Sequence, residues 1–79
     1  MDDRRSEPRL RIFKAGTVEF GDAGIDCTVR NITAAGASIE VSSPIGIPHE
    51  IVLRIPTRQV CRHGYVLWRQ EKRIGVVFD

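Results

Sequence analysis

Across residues 10–78, apolar and polar side chains alternate almost throughout, and no segment carries a convincing helical spacing. A period of two sends neighbouring side chains to opposite faces of a pleated strand. The chain is therefore restricted to sheet. Residues 10–20 read as a long first strand, bent near Gly16, and GDAG at 21–24 as a hairpin turn. IDCTVR sets Ile25, Cys27 and Val29 on one face and Asp26, Thr28 and Arg30 on the other. ASIEV turns Ala37, Ile39 and Val41 inward. EIVLRI groups Ile51, Leu53 and Ile55 after the proline-rich loop SSPIGIP. PTRQ turns the chain into a second long strand, VCRHGYVLWR, where Gly64 is the expected bulge. QEK is a tight turn, and RIGVVF is the last strand.

Six short strands joined by glycine and proline turns predict an all-β fold, a small six-stranded antiparallel β-barrel. Closure is favoured because an open sheet of this length leaves apolar edges unpaired. With 79 residues there is room for one domain, assigned to residues 10–79. Residues 1–9, MDDRRSEPR, offer almost nothing to bury and read as a flexible, arginine-bearing arm. Alternation assigns Ile25, Cys27, Val29, Ile39, Val41, Ile51, Leu53, Val66, Trp68, Val76 and Phe78 to the core.

Several function classes lack their residues. The sequence has no Gly-x-Ser-x-Gly, His-Glu-x-x-His or phosphate-binding Gly-rich loop, so it reads as no enzyme. Cys61 and His63 share a strand face at i and i+2, but no second pair has ligand spacing, and no metal is expected. No run approaches the ~18 apolar residues of a membrane span. The N-terminus lacks an apolar signal core, which makes the cytoplasm the expected compartment. In that reducing setting Cys27 and Cys61 read as small buried hydrophobes.

Two features carry chemistry. The net charge is only +2, yet Arg4, Arg5, Arg9, Arg11 and Lys14 cluster near the N-terminus. Arg5 and Arg9, four apart, each present a planar fork that fits the O6 and N7 acceptors of a guanine edge or two phosphate oxygens. The same plane stacks on a base. The second feature is NITAAG at 31–36. The Asn31 carboxamide can accept from the N1–H or N2–H₂ donors of guanine, the Thr33 hydroxyl can donate, and Gly36 allows a positive φ or a close approach. These residues equally suit an ordinary turn, and the basic arm equally suits a solvated tail.

Taken together, the pair resembles the PilZ domain family, whose signature is Arg-x-x-x-Arg before the first strand and Asp/Asn-x-Ser-x-x-Gly after the second. Here these are RSEPR and NITAAG, and VLWR followed by RIGVVFD resembles the family's closing strands. The resemblance covers nearly the whole chain. It implies a barrel that binds the bacterial second messenger cyclic di-GMP. Arg5 and Arg9 would clamp guanine edges and phosphates, with Arg4 and Arg11 as secondary contacts. Asn31 would read guanine, Thr33 would add a polar contact, and Gly36 would let the loop turn against the ligand. The arm would order on binding. Thr33 stands where the family has Ser, keeping the hydroxyl and adding a methyl. Because the sequence ends at Asp79, no C-terminal helix is expected, and the signal would pass to a separate effector protein or through a homodimer. The alternative reading is a nucleotide-independent PilZ-like protein-interaction module. A barrel for single-stranded DNA or RNA needs exposed aromatics for stacking, and here the aromatics fall at apolar-face positions.

Overall fold

The computed structural model describes residues 14–79. Its six strands are β1 (Lys14–Phe20), β2 (Ala23–Ile32), β3 (Gly36–Val41), β4 (Glu50–Ile55), β5 (Val60–Gln70) and β6 (Arg73–Phe78). They close antiparallel in the order β1-β2-β3-β6-β5-β4. The predicted arm and residues 10–13 of the predicted first strand lie outside the described residues. Among those described, the one helical element is a 3-10 turn at Pro56–Arg58, where Pro supplies the first position and Gln59 closes it at φ 55°.

Turn chemistry sets the hairpins. Phe20 pairs with Ala23, so Gly21 and Asp22 alone join β1 to β2, with Gly21 at φ +57°. Gln70 pairs with Arg73, leaving Glu71 at φ 55° in the second two-residue connection. The barrel closes between β1 and β4 through Thr17, Val18 and Glu19 opposite Arg54, Leu53 and Val52. Outside that seam the Arg54 guanidinium donates to both Glu19 oxygens, at 2.7 and 3.2 Å. The bond from Arg54 holds the Glu19 carboxyl below its ordinary range.

The core follows the alternation. Val29, Ile39, Ile51, Leu53, Ile55, Val18 and Ile74 are fully buried, with Cys27, Val41, Val66, Ile47 and Val76 around them. Ile25 and Phe78 pack against this core, partly buried. Val18, Ile47, Ile55 and Ile74 thus join the core expected from sequence. Burial pushes the Cys27 thiol up to about 11.

Three expectations are corrected. Cys61 is exposed, not buried. Its strand alternates with Gly64 and Val66 facing in, which turns Cys61 out with His63. Trp68 is 40% exposed rather than core. The bulge of β5 is also not at Gly64: the register shifts between Val66 and Trp68, at Leu67. Gly64 stays in register opposite Ile51 and Phe78. It is small because a Cβ there would meet the Val77 carbonyl at 2.7 Å and a Val76 methyl at 2.8 Å.

Candidate functional site

The ladder contains two register shifts, and they flank one surface. In β2 the shift falls between Val29 and Asn31; Val29 still faces Ile39, but Asn31 now faces Ser38. In β5 it falls at Leu67, so Val66 faces Val76 while Trp68 faces Gly75. An inserted residue breaks the in-out parity and re-aims the side chains after it. Alternation alone would send Trp68 inward with Val66. After the bulge, Leu67 and Trp68 are both exposed.

Because Ser38 also pairs with Gly75, one straight row crosses four strands: Asn31, Ser38, Gly75, Trp68. Neighbouring strands lie about 4.8 Å apart, so the row spans roughly 14 Å. Gly75 leaves its centre open and lets the Trp68 indole lie across it; a Cβ at Gly75 would collide with Nε1 and Cε2 of that ring. The result is an open groove of about 340 Å³ lined by Asn31, Thr33, Ser38, Leu67, Trp68 and Arg73 among others. It joins an amide, two hydroxyls, an indole face and a guanidinium.

The loop between β2 and β3 is built by its own residues. The Thr33 amide donates to the Gly36 carbonyl at 2.8 Å. The Thr33 hydroxyl accepts from the amides of Ala35 (3.1 Å) and Gly36 (3.3 Å). This side-chain turn is the chemistry for which such positions select a hydroxyl. Gly36 does not use a positive φ. Its missing side chain instead lets β3 approach β6, since a Cβ would strike the Val76 carbonyl. The Phe78 amide then donates to the Ala35 carbonyl at 2.8 Å, tying the loop to the end of β6. Arg30, at the first shift, donates to Glu40 of β3 at 2.7 Å.

Of the residues singled out from sequence, Asn31, Thr33 and Gly36 come together in this groove. Arg4, Arg5, Arg9 and Arg11 lie outside the described residues. Lys14 pairs with Val29, so the chain enters β1 at the barrel end that carries the loop. Sequence reasoning did not assign Ser38, Leu67, Trp68, Arg73 or Gly75 to the site. The available signal was YVLW in β5: three consecutive apolar residues after Tyr65 cannot all obey a period of two.

A larger hollow of about 760 Å³ opens between Ser42–Pro44 and the β5–β6 turn, with Glu40, Glu71, Lys72 and Arg73 on its walls. Its charges are of mixed sign, and none of its residues belongs to the loop. No group of three or more His, Cys, Asp or Glu side chains converges on a metal position among the described residues. No helix among them is long and apolar enough to cross a membrane. No curated protein matches the chain. The family model described as PilZ domain matches residues 3–79.

Proposed function

Since this chain belongs to the PilZ domain family, we propose that it is a cyclic di-GMP receptor, a binding module rather than an enzyme. The observation that carries the reading is the row Asn31–Ser38–Gly75–Trp68. It sets the Asn31 amide and the Trp68 indole on one face of the barrel. Asn31 accepts from the N1–H or N2–H₂ of a guanine. The exposed indole of Trp68 offers a face on which a base stacks. Thr33 holds the loop and adds a polar contact at its rim.

Arg5 and Arg9 supply the opposing half. On this reading residues 1–9 are the arm and residues 10–79 the barrel domain. An extended chain covers at most about 3.3–3.6 Å per residue, so Arg9, five residues from Lys14, reaches about 17 Å and Arg5 about 30 Å. Both distances match or exceed the length of the row. Their forks pair with guanine O6 and N7 or with the phosphates, and Arg4 and Arg11 add secondary contacts. The arm closes over the bound nucleotide and presents a changed surface to a separate effector.

The test uses the chain's one tryptophan. Trp68 lines the groove, so its emission reports occupancy there. Titration with cyclic di-GMP is expected to quench it saturably, and GMP at the same concentrations is not. Thr33→Ser keeps the hydroxyl that the loop amides use and is expected to leave the midpoint unchanged. An emission spectrum that cyclic di-GMP leaves untouched contradicts the proposal.

A further inference from the structure

On the wall of β4, β5 and β6 one imidazole stands between two carboxylates. His63 Nε2 lies 2.6 Å from Glu50 Oε2, and Nδ1 lies 3.1 Å from Asp79 Oδ2. Glu50 opens β4, His63 belongs to β5, and Asp79 follows β6. A neutral imidazole has one N–H and one bare nitrogen, so it can donate to only one of these partners. Only the imidazolium donates to both.

The backbone extends this junction to the loop. The Asp79 amide donates to the His63 carbonyl at 2.9 Å, and the preceding amide, Phe78, donates to Ala35 of the loop. Val77 pairs with Gly36. Residues 77–79 are therefore held by the loop on one side and by His63 on the other. Phe78 is further covered by the Arg62 guanidinium, 4.5 Å from its ring centroid. We propose that His63 is a proton-operated latch: protonated, it fastens the end of β6, and through it the 33–36 loop, to β4 and β5.

The neighbouring charges leave His63 as the cation of this junction. Glu19 of β1 borders the same hollow as Glu50 and His63 but is engaged by Arg54. Tyr65 stands edge-on to His63 with centroids 5.2 Å apart, and the charge of Asp79 holds its hydroxyl above the ordinary range. His49 lies beyond Tyr65, its ring 5.3 Å from the tyrosine's. The bond to Glu50, then that to Asp79, raises His63 above its ordinary value of 6.5. A raised histidine contributes fully below its unfolded value and is lost as pH rises through the folded one. The latch is thus closed below about pH 6.5 and opens as pH rises through the raised folded value above it. Nothing in this device depends on what the groove binds.

Amide exchange by NMR on the free 79-residue chain tests it, read as protection factors so that base catalysis cancels. Phe78 and Asp79 are expected to lose about threefold protection, the scale of an exposed ion pair, as the His63 ring titrates. The Val29 amide in the core is expected to stay constant. His63→Gln, at a half-exposed position, is expected to flatten the dependence, and Asp79→Asn to bring the His63 midpoint down. A His63 midpoint at or below 6.5, or the same pH dependence in His63→Gln, overturns the proposal.

Discussion

Gly36→Ala is expected to lower the melting temperature by more than about 10 °C. A Cβ at this position meets the Val76 carbonyl oxygen, and Val76 C and Val77 Cα follow at 3.3 Å. All three are backbone atoms of β6, and β6 is fixed by pairing with both β3 and β5. No rotamer relieves the clash, so the strands must separate where Gly36 faces Val77. Overpacking costs about 1–3 kcal/mol where side chains can shift, and this site has no such outlet, so about 3 kcal/mol or more is expected. A chain of this size has only some 4–12 kcal/mol to lose. Thermal unfolding followed by circular dichroism checks it. A fall of less than about 3 °C would mean that β3 and β6 do not approach as described.

Trp68→Ala is expected to do the reverse: weaken binding and leave the barrel standing. The indole is 40% exposed and covers Gly75 rather than filling the core. Its truncation is expected to cost about 0.8–1.5 kcal/mol of stability, roughly half of full burial. Stacking contributes about 1–3 kcal/mol per base, so affinity for cyclic di-GMP is expected to fall about five- to 150-fold. Gly75→Ala reaches the same end differently. The atoms that its Cβ meets belong to the Trp68 ring, which can swing aside and in doing so leaves the groove. Calorimetric affinities and melting curves of both variants separate the two effects. Trp68→Ala binding as tightly as the parent chain would remove the indole from the site.

How much of this was legible in the sequence follows from how strands encode faces. The period of two located the strands and most of the core, from Cys27 and Val29 through Ile39 and Leu53, because each strand segment faces one interior. What it misread lies at or beyond a register shift. Trp68 has the parity of the core residue Val66, and only the extra residue at Leu67 turns it outward. A bulge is a relation between two strands, so one strand's composition does not announce it. Cys61 is different: its face was deducible from His63, two residues on, but small apolar side chains read as buried by default.

The site was legible in halves. Asn31 and Thr33 stood out by residue type, and Gly36 by its smallness, although its reason is the approach of β6. Ser38, Gly75 and Trp68 could not be joined to them, because the row that unites them exists only once β2, β3, β6 and β5 are in register.

The proposed function requires that the groove, Arg5 and Arg9 form one nucleotide site. Isothermal calorimetry of the chain with cyclic di-GMP tests it most directly, beside an Arg5→Ala, Arg9→Ala double variant. The parent is expected to give a saturable heat, and the variant no measurable heat at the same concentrations while its melting curve stays that of the parent. No heat from the parent at high ligand concentration, or equal heats from both proteins, would overturn the single-site proposal.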